Sequence, residues 1–499
     1  MKYRTVMILS TFFLAVCLLA GCSTDSSQDK LFDEVVQQIP QTTQPSHESS
    51  PSTDEQLDAE TPAVESSLSG TLSILTNPYQ GHLVTLAKLF MEAHPGVRIT
   101  FIELENYGMD ISQQTALITK LLTDPPDIFE DATFVLEKIN AEALFIDLKE
   151  YIDGPDGIDR SDYFDSVLRG AEVDGKLYHV PMMVSVETVM LNKQYFEAIG
   201  VPISDIRVIT LAQFLDYQQR AAKLFPGDDI GLDSRFHMMD IFRFEQVYDL
   251  STGRVSANTP EIKALFELIK SIRVGSDVEY TPEEAIGWII GLGGAVPDSF
   301  TSPSYKYMYH SHEALMAPFV FFIQEHPDMR FSHPVIRVAS TGEIRYRSAT
   351  SPAIMRDSPN KELAWKFIRF CMEYTENLYN PDDLTNEYNS FVNFPVNRAL
   401  FDNQVHAVLD ESYYKMTRKR MCPTTGDEET DAKVRKEQVD FALFRFKELM
   451  EMVNCEERYN EVVMNSLVYP DVYLYVMGRQ DVDKTLINIQ SRLELYIAE

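Results

Sequence analysis

From Gly70 onward, short apolar runs alternate with longer segments of helical periodicity. Thr71–Thr76 in "GTLSILTNPYQ" predicts a strand that ends in a turn. "GHLVTLAKLFMEAHPGV" places Leu83, Leu86, Leu89 and Phe90 on one helical face, and Pro95-Gly96 stop it. "VRITFIELE" alternates as a second strand, and "DISQQTALITKLL" predicts an amphipathic helix starting near Asp110. "PPDIFED" reads as a short buried strand with a polar end, and "FVLEKINAEALF" as a further helix. This order predicts a parallel sheet with crossover helices. In such sheets ligands bind beyond the carboxyl ends of the strands.

"GKLYHVPMMVSVETVMLNKQYFEAIGV" (175–201) predicts two short strands followed by a helix. Pro181 breaks its middle, and Ser185 and Glu187 interrupt the second apolar run. A crossing point between two lobes, with a cleft beside it, accounts for both features. The rest is mainly helical. "TLAQFLDYQQRAAKLF" has Thr210 as N-cap, with Leu211, Phe214, Leu215 and Tyr217 inward. "TPEIKALFELIKSI" and "TPEEAIGWIIGL" each open with Thr-Pro, a cap followed by proline at the first helical position. "SPNKELAWKFIRFCMEY" repeats that grammar, and "DVDKTLINIQSRLELYI" predicts a last helix after Gly478.

The N-terminus changes the compartment. Lys2 and Arg4 precede an apolar stretch, Val6 to Ala20, of signal-peptide length and too short for an ordinary membrane span. Leu19-Ala20-Gly21-Cys22 resembles the lipobox of bacterial lipoproteins. That resemblance implies a signal peptide over residues 1–21 and a lipid on Cys22; an ordinary signal peptide that contains cysteine is the alternative. Two acyl chains anchor stably where one is marginal. Residues 22–68 are rich in Ser, Thr, Gln, Asp and Pro, and their few apolar side chains cannot offset the entropy of ordering. We expect a flexible tether with a reach of roughly 35–40 Å for a coil of that length, or within it one short helix around "KLFDEVVQQI". Residues 69–499 are long enough for two or three ordinary domains.

The net charge of −32 disfavours nucleic acid and anionic lipid surfaces as partners. Of five cysteines, Cys17 leaves with the signal peptide and Cys22 is the lipidation candidate. Cys371, Cys422 and Cys455 remain, with no CxxC spacing. Cys371 lies on the apolar face of "AWKFIRFCMEY" and reads as a core cysteine. A Cys422–Cys455 disulfide stays open.

Four stretches in order carry a family resemblance: "LAKLFMEAHPGVRITF"; "ITKLLTDPPDIF"; the 175–201 segment; and "SPNKELAWKFIRF" followed by "FPVNRALF" and "MGRQDVDKTLINIQ". Behind a lipobox, they resemble the sugar-type family 1 of extracellular solute-binding proteins of bacterial ABC importers. The coverage runs from about Gly70 to Glu499. There are departures. "TDPP" replaces the usual turn before Pro126, and Leu191-Asn192 replaces a Tyr-Asn pair. Trp365 matches a framework position, whereas Trp288 fits core packing or ligand stacking, so a sugar-stacking ring would be tyrosine or phenylalanine.

The resemblance implies an α/β, two-lobed periplasmic-binding-protein-like fold of type II. Each lobe is a mixed, mainly parallel sheet flanked by helices, and hinge segments join the two. Lobe 1 would span approximately 69–182 and 311–375, and lobe 2 approximately 186–310 and 376–499. It further implies a monomer on the outer face of the cytoplasmic membrane. There it would capture a small solute, a sugar or oligosaccharide, for an ABC permease, without cofactor or catalysis. Two other readings stay open: the same fold as sensor or scaffold for a membrane receptor, and a secreted hydrolase. For the last, Glu103 and Glu105 share a strand face and could mimic a glycosidase pair, but such carboxylates are usually a strand's solvated side. No GxSxG, HExxH or P-loop is present.

Ligand candidates follow by position. Asn77 and Tyr79 follow the first strand, Asp131 and Thr133 the third, and Met183, Ser185 and Glu187 lie at the crossing, with Pro181, Met182 and Val184 as hinge. Each has a plainer alternative: Asn77-Pro78 is a turn signal, Asp131 could be an N-cap, and Ser185 could relieve crowding. In "SYKYMYHSHEALM", a strand would put Tyr305, Tyr307 and Tyr309 on one face, as a cleft wall or as ordinary sheet packing. His310 and His312 would share the other face. With Glu313 they could suit zinc, but three ligands from one short strand is poor geometry, and no metal site is expected.

Overall fold

The computed structural model describes residues 68–76, 82–103, 111–130, 141–186, 188–202, 206–225, 241–242, 245, 247–249, 253–271, 309–312, 331–332, 334–375, 393–409, 427–457 and 461–498. The first elements are β1 (Ser69–Thr76), α1 (His82–Ala93), β2 (Gly96–Glu103), α2 (Ile111–Thr123), β3 (Ile128–Phe129), α3 (Asp165–Gly170), β4 (Met183–Ser185), β5 (Thr188–Asn192) and α4 (Lys193–Ala198). Then come β6 (Val208–Ile209), α5 (Leu211–Leu224), β7 (Tyr248–Asp249), β8 (Arg254–Val255), α6 (Pro260–Ser271), β9 (Tyr309–His312), β10 (Phe331–Ser332) and β11 (Val335–Ile336). The last are β12 (Arg345–Thr350), β13 (Ala353–Ile354), α7 (Lys361–Glu373), β14 (Phe394–Pro395), α8 (Arg398–Leu409), α9 (Glu428–Met452), β15 (Cys455–Glu456), α10 (Tyr469–Val476) and α11 (Val482–Ala498).

The first sheet has the order β13-β3-β1-β2. Its β1, β2 and β3 are parallel, as the strand–helix order predicts, and β13 closes one edge antiparallel. Parallel sheets are covered on both faces, and the alternation along β1 supplies both. Leu72 and Ile74 enter a core with Leu83, Leu86 and Phe90 of α1 and Ala364, Trp365, Phe367 and Ile368 of α7. Leu75 and Phe129 face the opposite cluster, with Leu117 and Leu121 of α2. Phe90 meets Phe367 and Phe370 edge-on at 5.4 and 5.2 Å between ring centroids, a favoured aromatic geometry. Trp365 is buried here, as its framework position implies.

The second core gathers Leu191, Tyr195, Phe196, Ile209, Phe214, Phe266, Leu486, Ile489 and Leu493. Its sheet is mixed: β5 pairs antiparallel with β9, β10 and β11, and β11 pairs parallel with β6. Helix α5 opens with a capping box, in which Thr210 Oγ1 accepts from Gln213 N–H at 3.2 Å and Gln213 Oε1 from Thr210 N–H at 3.0 Å. Leu211, Phe214 and Leu215 are buried as expected, and Tyr217 is half-buried, edge-on to Phe196.

Two expectations differ from the packing. The ranges read from the sequence assign 311–375 to lobe 1 and 376–499 to lobe 2. Instead β10 and β11 lie in the second sheet, and Phe394, Val396, Phe401, Phe446, Leu449 and Met450 lie in the first core. The cause is an aromatic cluster. Phe446 of α9 stacks on Phe401 of α8 at 4.4 Å and contacts Phe394 of β14 at 3.7 Å. The second difference is at α7, which begins at Lys361, so Ser358-Pro359 is not its cap. Ser358 Oγ donates instead to Asp127 Oδ1 at 2.6 Å.

Candidate functional site

Among the described residues, three short links of the chain run from one core to the other. Val186 is in the first and Leu191 in the second; Ile336 is in the second and Ile344 in the first; Val453 is in the first and Val463 in the second. The strands beside these passages form one sheet, in the order β14-β4-β12-β15. The 175–201 segment is therefore the first passage, and the structure places it beside the other two.

The local sequence explains the sheet. Val180, Met182, Val184 and Val186 all enter the first core, a strict period of two. Pro181, Met183 and Ser185 alternate with them. Val180 N–H donates to Pro352 O at 3.0 Å and Met182 N–H to Thr350 O at 2.9 Å. Alternate residues point their N–H groups the same way, so the position lacking a donor, Pro181, is the one from which this ladder asks for none. Of the hinge candidates, Pro181, Met182 and Val184 are all buried. The passage itself follows them, between Val186 and Thr188.

At the alternate positions, Met183 and Ser185 are half-buried, and Met183 also packs against the first core. Ser185 lies directly across from Arg347 of β12, also half-buried, and Met183 across from Thr350 and Pro395. Two ligand candidates thus share a strand face beside a passage between lobes, with an arginine that the sequence did not single out. Asn77, Tyr79, Asp131, Thr133, Glu187, Tyr305 and Tyr307 lie outside the described residues. The strands that lead into the first two pairs end side by side, because Leu75 and Phe129 are register partners. There Thr76 Oγ1 donates to the fully buried Glu130 carboxylate. Burial, and then the Glu130 charge, push the Cys371 thiol well above its ordinary value. Cys371 is thus a core cysteine, as expected; Cys422 lies outside the described residues. So do Trp288, the side chain of Glu103 and all of Glu105.

The core-facing side of the same sheet carries a polar group that sequence reasoning missed. His179 Nε2 lies 2.8 and 3.0 Å from the two carboxylate oxygens of Glu456, both side chains being about 1% exposed. Ser348 Oγ donates to the same carboxylate. The three come from the approach to β4, from β12 and from β15. No short motif joins them, since 277 residues separate His179 from Glu456.

Leu191, where a Tyr-Asn pair is usual in the resembled family, is fully buried in the second core. Among the described residues, no group of three or more His, Cys, Asp or Glu side chains could hold a metal, and no helix is long and apolar enough to cross a membrane.

A sequence profile described as "bacterial extracellular solute-binding protein" matches residues 85–380. No curated protein sequence matches the chain. Solved structures share the fold at low identity. An extracellular solute-binding protein family 1 from Alicyclobacillus acidocaldarius is 14% identical at a TM-score of 0.51, covering 87% of this chain and all of its own. The sugar-binding protein MalE from Xanthomonas citri is 14% identical at 0.52, over 86% of this chain and 98% of its own. A putative oligosaccharide periplasmic-binding protein from Synechococcus is 12% identical at 0.53, over 86% and 99%. These neighbours are two-lobed, and the fold described above is theirs.

Proposed function

The chain belongs to the bacterial extracellular solute-binding proteins, and from that membership we propose a lipid-anchored, non-catalytic receptor that captures a sugar or oligosaccharide for an ABC permease. The observation that carries the reading is the gathering, among the described residues, of three chain passages beside one sheet between two hydrophobic cores, which adjoin at β11, where Val335 is in the first and Ile336 in the second. Two lobes joined this way close by bending at the links. A ligand bound by both lobes draws the population toward the closed form by its differential affinity. The sugar class is supported by the fold neighbours described as sugar- or oligosaccharide-binding.

In this reading Met183 and Ser185 form the cleft floor. Asn77, Tyr79, Asp131, Thr133 and Glu187 supply polar groups around it, and Tyr305 and Tyr307 supply an aromatic wall. Cys22 holds the lipid, residues 22–68 are the tether, and the receptor works as a monomer on the outer face of the membrane. Calorimetry tests the ligand class with malto-, cello- and xylo-oligosaccharides against amino acids, short peptides and polyamines. The reading expects micromolar or tighter binding of at least one glycan and no turnover of it. Binding confined to peptides or polyamines would replace the sugar assignment. Mass spectrometry of membrane-extracted protein tests the anchor, which requires a diacylated N-terminal Cys22.

A further inference from the structure

We propose that His179, Ser348 and Glu456 form a buried clamp that fixes the hinge strands to the first lobe and so sets the balance between open and closed lobes. The inference rests on the reading of this chain as a receptor that closes on its ligand. Glu456 is the centre of the clamp. One carboxylate accepts from the His179 ring at 2.8 and 3.0 Å and from the Ser348 hydroxyl. His179 Nδ1 has no partner among the described residues, so Nε2 is the ring atom that binds. An acidic side chain this deeply buried is tolerated only while its acceptors are filled. The geometry therefore holds three chain segments to one point.

What makes the point a hinge element is where those segments go. His179 precedes the first passage at Val186, Ser348 follows the second, which ends at Ile344, and Glu456 lies within the third, between Val453 and Val463. Neighbours on all three segments belong to the first core: Val180, Tyr346 and Val453. Backbone bonds reinforce the grouping. Asn454 N–H donates to Ile344 O at 3.0 Å and Glu457 N–H to Tyr346 O at 2.6 Å, while the Tyr346 hydroxyl donates to Val167 O at 2.6 Å. With the strands fixed on this side, bending is confined to the short stretches that leave the sheet. A hinge whose anchors are fixed has little freedom left to lose when the lobes close, which preserves the ligand's binding free energy. Loosened anchors must be reordered at each closure.

The clamp residues are positioning residues, because Ser348 and Glu456 lie across from Val184 and Tyr346 of the first core, and the buried His179 reaches Glu456 from the bend before β4. The test uses the full chain with spin labels carried by unnatural amino acids at Lys88 of α1 and Ala212 of α5, both exposed. Pulsed dipolar spectroscopy of the unliganded protein then reads the distance between lobes. Ser348→Ala and Glu456→Gln should each broaden that distribution. They should also weaken binding of maltotriose, taken as the glycan probe, by about tenfold, within the usual range of coupling between distant sites. Distributions as narrow as wild type in both variants would overturn the clamp even if their melting temperatures fell, since a merely structural role moves only the latter. Should Glu456→Gln fail to fold, Ser348→Ala alone decides. A wild type that binds no glycan, with distributions that still respond to the substitutions, would keep the clamp and remove the sugar reading.

Discussion

Asp127 is the strongest single test of how the first lobe is held. Four donors converge on its carboxylate. Ser73 N–H and Ser73 Oγ reach Oδ2 at 2.8 and 3.0 Å, and Ser358 Oγ and Asn360 Nδ2 reach Oδ1 at 2.6 and 3.1 Å. The node joins β1, β3 and the turn before α7, and Asp127 is buried. A hydrogen bond to a charged group contributes about 1.5–3 kcal/mol net, and removing one partner strands the other. Four such losses are not additive, because water enters the space and the donors share it. The expected cost of Asp127→Ala is about 3–5 kcal/mol, the scale of breaking a buried charged contact from one side. Asp127→Asn keeps the shape and one acceptor oxygen, so it should recover part of that loss. Urea unfolding of the full chain reads both variants in a Trp288→Phe background, which leaves Trp365 in the first core as the only indole. A loss below about 1 kcal/mol for Asp127→Ala would refute the reasoning, since it would mean that water replaces the carboxylate at no penalty.

Further outcomes follow from the same contacts. Ser185→Trp fills the half-buried face opposite Arg347 and should weaken glycan binding at least about tenfold in calorimetry, a loss of roughly 1.4 kcal/mol, while the melting temperature changes little; unchanged affinity removes Ser185 from the site. The Lys176 ammonium, and then the Tyr178 hydroxyl at 3.1 Å, hold the Glu142 carboxyl below its usual range, while Glu142 raises Lys176. A depressed acid stabilises the fold above its unfolded value, 4.5 here, and loses that contribution as pH falls through the folded value. The wild type should therefore exceed Glu142→Gln in melting temperature near neutral pH and converge with it in acid; a gap that persists in strong acid would contradict the assignment. Cys371 should resist iodoacetamide at pH 8 in the native protein and react on unfolding, read by mass spectrometry of its peptide, because burial disfavours the thiolate.

Much of the first lobe was legible because its signals are local. The face Leu83, Leu86, Leu89 and Phe90 is a period of 3.6 that needs only neighbours along one helix. Strand–helix alternation implies parallel pairing by handedness and connection length, and β1, β2 and β3 obey it. In the second lobe the Thr210 N-cap is equally local, and the structure adds the reciprocal bond from Gln213 that completes a capping box. The partition of the later chain was not legible, because it depends on which distant aromatic rings meet. Phe401 and Phe446 stack across the gap between two helices, and either could have packed in a second-lobe core without breaking its own pattern. Ser358-Pro359 misled for a related reason. The pair is good capping chemistry, but a buried carboxylate on another strand competes for the hydroxyl and wins it.

The stretch around Pro181 shows how a local pattern can be present and still be misread. "VPMMVSVE" looks like a strand spoiled by proline and small polar groups. Taken every second residue it is Val180, Met182, Val184 and Val186, and all four lie in the first core. The intervening residues are under a different constraint. Pro181 is buried and Met183 packs partly buried against the first core, whereas the half-buried Ser185 fills no core volume and position 181 needs no backbone donor, so a polar side chain at 185 does not oppose the fold. The sequence alone cannot separate a face that is merely tolerant from one that is used. Ser185 sits opposite Arg347 beside the first of three passages between lobes. That position turns tolerance into a candidate floor for a cleft. The opposite face of the same strands carries the His179–Glu456–Ser348 contact. Binding and bending would then be divided between the two sides of one sheet, so that a substitution on one side changes what is bound and on the other how readily the lobes close around it.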